Sequence, residues 1–71
     1  MPKLPHISGK EAVRALQKLG FEVARQKGSH IVMKRGSDGC VVPNHAEIKT
    51  GTLAGVLRQA GVSAEEFIAA L

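Results

Sequence analysis

Apolar residues at helical spacing predict an amphipathic helix near the start of the chain. Ser8 is the predicted N-cap, Glu11 completes a capping box three residues later, and Gly20 ends the helix. The apolar face consists of residues that repeat at helical spacing: Ala12, Val13, Leu16 and Leu19. The helix is therefore expected to run from residue 9 to about residue 19.

The middle of the chain alternates strand-forming segments with turns that contain glycine. Strands are predicted over residues 21–26, 30–35 and 40–44, with turns at Lys27-Gly28-Ser29 and Gly36-Ser37-Asp38-Gly39. Such short connections favour an antiparallel meander. Because proline has no N–H to donate, Pro43 indicates that the third strand lies at an edge of the sheet or ends there.

Two more helices are predicted after a polar loop at residues 45–51. The first carries apolar residues at helical spacing (Leu53, Val56, Leu57 and Ala60) and ends at Gly61. The second starts at Ser63, which forms a capping box with Glu66, and Val62 is placed to contact Phe67. The order α-β-β-β-α with a short C-terminal helix predicts an α+β fold. We expect a three-stranded antiparallel sheet with helices on one face and the other face open to solvent.

Composition narrows the class of protein. The 71 residues suit a single domain, residues 1–71, with a small and mostly aliphatic core. Ten Lys and Arg against six Asp and Glu give a net charge of +4, which favours a polyanionic partner such as nucleic acid. Cys40 is the single cysteine, so no internal disulfide is possible. No segment resembles a signal peptide or a membrane span, and a cytoplasmic protein without a membrane partner is expected.

Strand alternation places His30 on the open face of the predicted sheet. In the second strand Ile31 and Met33 share one face, whereas His30, Val32 and Lys34 share the other. The apolar pair should face the helices. His30 is therefore expected beside water, with Lys34 on the same face.

Turn length predicts which residues face His30. A symmetric four-residue turn sets His30 opposite His45, close enough for both imidazoles to contact one phosphate. A three-residue turn before the second strand pairs Gln26 with His30 and Glu22 with Lys34. Lys34 then has two open interpretations: a cation for phosphate, or half of an exposed ion pair with Glu22, worth under about 1 kcal/mol.

A basic stripe is predicted along the solvent face of the first helix. Lys10, Arg14 and Lys18 lie four residues apart, and with Lys27, Ser29 and Lys34 they are the candidate RNA-binding residues. Simple solvation of an amphipathic helix explains the stripe as well. Both explanations stay open.

The candidate chemistry is RNA cleavage by internal transesterification, in which the 2′-hydroxyl attacks the neighbouring phosphate. The reaction needs one proton removed, one supplied and negative charge stabilised. The ordinary histidine pKa of about 6.5 suits either proton transfer at neutral pH, and a lysine suits the charge. His30, assisted by Lys34 and His45, meets these needs. The carboxylates are scattered along the chain and the Cys and His residues lack zinc-ligand spacing, so no metal and no cofactor is predicted.

Several segments together resemble HicA-type toxins of bacterial and archaeal toxin–antitoxin systems. They cover nearly the whole chain in order: Ser8-Gly9-Lys10-Glu11, Leu19-Gly20-Phe21, Gln26-Lys27-Gly28-Ser29-His30, Val42-Pro43-Asn44-His45, Gly51-Thr52-Leu53, Gln59-Ala60-Gly61-Val62-Ser63 and Glu66-Phe67. The resemblance implies a fold like that of double-stranded RNA-binding domains, cleavage of messenger RNA and neutralisation by a HicB-type antitoxin.

The same resemblance assigns roles to individual residues. The family's catalytic histidine corresponds to His30, and Gly28 corresponds to the tight turn that presents it. His45 matches a common histidine without an established role. The chain departs from the family at Ile31, where a polar or aromatic residue often stands.

Three functions remain open on the sequence. The first is a metal-independent ribonuclease toxin with His30 as general acid or base. The second is a non-catalytic RNA-binding module of the double-stranded type, which would read A-form shape through basic side chains. The third is an interaction domain with a basic face for an acidic protein partner. Loss of cleavage on substitution of His30 separates the first from the others.

Overall fold

The computed structural model describes residues 3–71, and its elements follow the predicted order. Helix α1 (Gly9–Lys18) leads into strands β1 (Glu22–Lys27), β2 (His30–Arg35) and β3 (Asp38–Pro43), which are followed by helices α2 (Thr50–Ala60) and α3 (Ala64–Ala70). The strands form one antiparallel sheet in the order β1-β2-β3. The predicted α+β fold, with its open three-stranded sheet, is confirmed.

Capping residues mark the starts of α1 and α3 and the end of α2 as the sequence indicates, whereas α2 starts at Thr50, inside the predicted loop at residues 45–51. The predicted end of that loop is therefore wrong, because Lys49 is an N-cap without a side-chain hydrogen bond that the sequence could signal. Ser8 Oγ accepts a hydrogen bond from the Glu11 N–H at 3.1 Å, and the Glu11 carboxylate accepts one from the Ser8 N–H at 3.2 Å. Ser63 and Glu66 form the same box before α3. Gly61 ends α2 in the left-handed conformation, with φ of 71°. None of the helices in residues 3–71 is long and apolar enough to cross a bilayer.

The core lies between the helices and the covered face of the sheet. Ile31 and Met33 of β2 point into it, as strand alternation predicts. The largest fully buried side chains are Phe21, Phe67, Leu16, Met33, Ile48, Leu53 and Val42. The predicted, mostly aliphatic core is confirmed, and the opposite face of β2 is left to solvent at His30 and Lys34.

Both turns of the meander are shorter than predicted. Two residues connect the strands in each case, Gly28-Ser29 and Gly36-Ser37. The glycines have φ of 58° and 59°, whereas neither serine has a positive φ, which is the pattern of a type II′ hairpin turn. As a result β1 ends at Lys27 and β3 starts at Asp38, so the predicted strand limits of 21–26 and 40–44 are wrong by one or two residues.

The shorter second turn changes the pairing of β2 with β3. His30 lies opposite Pro43, and Met33 lies opposite Cys40. The predicted pairing of His30 with His45 is therefore wrong, because the hairpin closes between Arg35 and Asp38. The shift is by two residues, so each side chain stays on its predicted face.

A β-bulge changes the pairing of β1 with β2. Glu22 lies opposite Lys34 as predicted, but the register shifts between Val23 and Arg25, where Ala24 is the extra residue. Lys27 therefore faces His30. The predicted pairing of Gln26 with His30 is wrong.

The free edge of β3 explains how Pro43 fits a strand. The Asn44 N–H donates to the Ser29 carbonyl oxygen at 2.6 Å, so antiparallel alternation turns the backbone groups of Val41 and Pro43 away from β2. The Val41 N–H donates to Gln59 Oε1 of α2 at 3.4 Å. Pro43 occupies an outward position where no ladder bond is lost, and the predicted edge strand is confirmed.

Arg35 ties the end of β2 to the end of α1. Its Nη1 donates to the Leu19 carbonyl oxygen at 3.0 Å, and its guanidinium lies 4.6 Å from the centre of the Phe21 ring. We expect Arg35→Met to lower the free energy of unfolding by about 1.5–2 kcal/mol, because it removes a charged hydrogen bond and a cation–π contact.

Urea denaturation measures this effect of Arg35. Asp38→Asn is the control, because the Arg35–Asp38 ion pair is long, at 3.6 Å, and exposed. We expect that substitution to change stability by under about 0.5 kcal/mol. An equal loss in both variants would mean that the ion pair, and not the contacts with α1, stabilises this corner.

Candidate functional site

The open face of the sheet presents three rows of side chains that cross β1, β2 and β3. In strand order the rows are Lys27, His30 and Pro43, then Arg25, Val32 and Val41, then Glu22, Lys34 and Gly39. Every residue of β1 is exposed, as are His30 and Lys34. The face therefore combines an imidazole, three cations and the Glu22 carboxylate around an apolar centre formed by Val32 and Val41.

His30 is held at the start of β2 by backbone contacts on both sides. Lys27 is its partner across the Gly28-Ser29 turn, which places their Cβ atoms about 5 Å apart. On the other side the Ser29 carbonyl oxygen accepts the hydrogen bond from Asn44. Within residues 3–71 the imidazole makes no hydrogen bond, so both ring nitrogens are accessible to a ligand.

Lys27 and Ser29 lie next to His30, whereas Lys34 lies on the same face of β2 about 13 Å away. Lys27 is the direct neighbour and Ser29 occupies the turn, whereas Lys34 lies four residues along the same strand face. In the described part of the chain Glu22 and Lys34 form no salt bridge although they are paired. The interpretation of Lys34 as half of an ion pair is thus not realised, and its ammonium group faces solvent.

His45 lies beyond the end of β3. Its carbonyl oxygen accepts a hydrogen bond from the Gly9 N–H at 2.8 Å, which joins this segment to the start of α1. Its side chain is exposed. His45 is therefore not the direct neighbour of His30 that the predicted register required.

Arg25 is a site residue that the sequence reasoning missed. It lies opposite Val32, on the open face with His30 and Lys27. Regular pairing from Glu22 onward would have put Ala24 and Gln26 on that face instead. No residue type in this segment signals a bulge, so the predicted pairs Gln26–His30 and Glu22–Lys34 gave no reason to consider Arg25.

A comparison with protein-family models identifies the class of protein. The model described as HicA toxin of bacterial toxin–antitoxin matches residues 9–62. This chain belongs to the HicA toxin family. The match begins at the first residue of α1 and ends just after α2, so it includes the whole sheet and His30. A search of curated proteins finds no match.

Membership in the HicA family confirms the resemblance seen in the sequence and makes this chain the toxin of a toxin–antitoxin pair. Ile31, the departure noted after His30, is buried at 6% exposure and belongs to the core. Its side chain is therefore not part of the open face. The departure affects packing beneath the site and leaves the exposed groups around His30 in place.

The basic stripe of this HicA toxin lies on a different surface. Lys10, Arg14 and Lys18 are exposed on α1, whose apolar side packs in the core that covers the opposite face of the sheet. The start of the stripe nevertheless approaches the His30 end of the sheet, because the Gly9 N–H donates to the His45 carbonyl oxygen and Pro43 is the cross-strand partner of His30. Lys10 follows Gly9 directly, whereas Arg14 and Lys18 lie farther along α1.

Cys40 is buried beneath the open face, where it packs in the core as a small apolar residue. Burial raises the pKa of its thiol. Because the thiolate is the reactive form, we expect iodoacetamide at pH 8 to alkylate the native protein much more slowly than the urea-unfolded protein. Mass spectrometry measures both rates, and equal rates would contradict the buried position.

Across residues 3–71 no three His, Cys, Asp or Glu side chains are grouped so that they could hold a metal ion.

Proposed function

We propose that this HicA toxin is a metal-independent endoribonuclease that cleaves messenger RNA, with His30 as general acid or base. The observation that supports it most is an exposed imidazole on the first residue of β2, beside Lys27 and on one face with Lys34. Its substrate places its action in the cytoplasm, where messenger RNA is translated.

The proposed reaction is an internal transesterification. The 2′-hydroxyl loses its proton and its oxygen forms a bond to phosphorus, while the bond from phosphorus to the 5′-oxygen breaks. The leaving oxygen gains a proton, so the products are a 2′,3′-cyclic phosphate and a 5′-hydroxyl. One positioned histidine that transfers a proton in the transition state contributes about 10²–10⁴-fold.

The neighbours of His30 supply the remaining requirements. In this proposal Lys27, the cross-strand neighbour of His30, stabilises the negative charge that develops on the phosphate oxygens. Lys34 lies about 13 Å from His30 along β2, so it assists by binding a phosphate farther along the RNA. Ser29, in the turn before His30, contacts the backbone of the RNA. His45 follows two residues after Pro43, the cross-strand partner of His30, and is the candidate for the second proton transfer.

Removal of metal ions tests the proposed chemistry. We expect the purified protein to cleave RNA at an unchanged rate in excess chelator, because the attacking hydroxyl belongs to the RNA and its proton is taken by a side chain. The rate is measured on a labelled RNA with chelator and with added Mg²⁺. Cleavage that appears only with Mg²⁺ contradicts the proposal.

The proposed partner is a HicB-type antitoxin that neutralises the toxin by covering the open face. The exposed cations Arg25, Lys27 and Lys34 favour an acidic surface on that partner. Hydrogen exchange of the complex should show protection at the open face. Protection confined to the outer side of α1 would mean that the antitoxin inhibits the toxin without covering the open face.

A second candidate function is a non-catalytic RNA-binding module of the double-stranded type. It is favoured by the exposed stripe Lys10, Arg14 and Lys18 on α1. Such a module would bind an RNA duplex with equal affinity before and after His30→Ala, and it would not cut RNA. Cleavage of RNA by the wild-type protein would show that the protein is not only an RNA-binding module.

A further inference from the structure

The bulge at Ala24 changes which side chains β1 presents beside His30. With regular pairing from Glu22, the open face would carry Gln26 next to His30. The extra residue instead sets Lys27 opposite His30 and Arg25 opposite Val32. Bulges occur next to active sites, where they re-aim side chains. Here the consequence is that two cations replace two uncharged side chains on the open face.

We propose that Arg25 and Lys27 bind successive phosphates of a single-stranded RNA that runs along β1 beside His30. This inference rests on the proposed ribonuclease function and names its substrate class and a binding residue, Arg25. The two side chains are two strand residues apart, about 6.6 Å, which suits successive phosphates of an extended strand. Both are exposed and neither forms a salt bridge within residues 3–71, so their charges are free for a ligand.

The shape of the face favours a single strand over a duplex. The face is the open side of a sheet, and its centre consists of Val32 and Val41, of which Val41 is 38% exposed. Unpaired bases can lie against these apolar side chains while the phosphates lie along β1. Attack by a 2′-hydroxyl in line with the leaving oxygen also needs a linkage that is not held in A-form geometry. In a duplex the base faces are stacked, and the A-form backbone keeps the 2′-hydroxyl out of line with the leaving oxygen.

Moving one cation by a single position along β1 tests the proposed phosphate contacts without changing the net charge of the protein. Gln26 lies opposite the buried Ile31 and is exposed at the sheet edge. The double variants Q26K/K27Q and R25Q/Q26R each move one cation by a single residue to the other face of β1. Net charge stays the same, and these exposed substitutions should not disturb the fold. Gln26→Lys alone is the matched control, because it keeps both cations in place.

Binding is measured on a short single-stranded RNA in the His30→Ala background, where the RNA stays intact. Each exchange should raise Kd on the order of fivefold, and the slope of log K against log salt should fall by about 0.7 per lost phosphate contact. Gln26→Lys should not weaken binding. In proteins that retain His30, R25Q/Q26R should lower kcat/KM by a similar factor, and Q26K/K27Q by a larger one, because Lys27 also stabilises the charge that develops in the transition state.

The outcomes separate the two proposals. Failure of the wild-type protein to cut RNA overturns the proposed function, whereas the binding measurement tests Arg25 and Lys27 without any cleavage. Unchanged Kd and salt slope in both exchange variants overturn the inference even if cleavage is confirmed. Equal losses for a duplex of the same sequence overturn the single-strand assignment. If both exchange variants bind RNA as the wild type does but bind an acidic antitoxin more weakly, the inference is also overturned. Arg25 and Lys27 would then bind the protein partner and not RNA.

Discussion

His30→Ala is expected to lower the rate of RNA cleavage by about 10²–10⁴-fold, the usual contribution of a positioned general acid or base. Alanine has no group that transfers a proton, while Lys27 and Lys34 remain to bind phosphate. His30 is exposed and its side chain packs on nothing in the core, so stability should change by no more than about 0.5 kcal/mol. Loss of activity can therefore be separated from loss of fold by one thermal melt.

Two other histidines provide controls for His30. His6 is exposed before the first helix and belongs to no part of the open face, so His6→Ala should cleave RNA at the wild-type rate. His45→Ala tests the second proton transfer, and a large loss of rate with unchanged RNA affinity supports that role. Equal cleavage by the wild-type and His30→Ala proteins would remove His30 from the mechanism.

Gly9→Ala is expected to lower the free energy of unfolding by about 3 kcal/mol, because the start of α1 has no space for a methyl group. A Cβ at Gly9 would meet the Pro43 carbonyl oxygen, and it would lie 2.8 Å from Asn44 Cα. These are backbone atoms, and they are held by the Gly9–His45 and Asn44–Ser29 hydrogen bonds. They cannot move aside as the end of a flexible side chain can.

The predicted effect of Gly9→Ala on stability is opposite in sign to the effect that helix propensity predicts. Helix propensity alone predicts that alanine stabilises a helix by roughly 0.5–1 kcal/mol relative to glycine. Gly55→Ala is the matched control, because Gly55 lies inside α2 with nothing within 4 Å of the added Cβ. Chemical denaturation should show Gly55→Ala at or above wild-type stability and Gly9→Ala well below it. A Gly9→Ala protein as stable as the wild type would contradict the close approach of α1 to the end of β3.

The architecture could be predicted from the sequence because its signals are local and agree with one another. Capping boxes at Ser8 and Ser63, a glycine after α2 and alternating apolar residues in β2 each determine one element. Strand alternation then puts His30 on the open face without any knowledge of register, since a shift by two residues leaves the face unchanged.

The neighbours of His30 could be predicted only in part, because they depend on register. The Gly28-Ser29 and Gly36-Ser37 dipeptides are typical of two-residue turns. A two-residue turn at Gly36-Ser37 predicts Pro43, and not His45, opposite His30. The bulge at Ala24 is different. It shifts the register between Val23 and Arg25, and no residue within the strand indicates it. Arg25 was missed for that reason.

Identification of the RNA ends produced in excess chelator tests the central claim most directly. A short RNA of defined sequence is incubated with the wild-type protein and with His30→Ala, and the products are identified by mass spectrometry. The proposed mechanism predicts 2′,3′-cyclic phosphate and 5′-hydroxyl ends from the wild-type protein, with a loss of at least about 10²-fold in the variant. Products with 3′-hydroxyl and 5′-phosphate ends, or equal cleavage by both proteins, would contradict it.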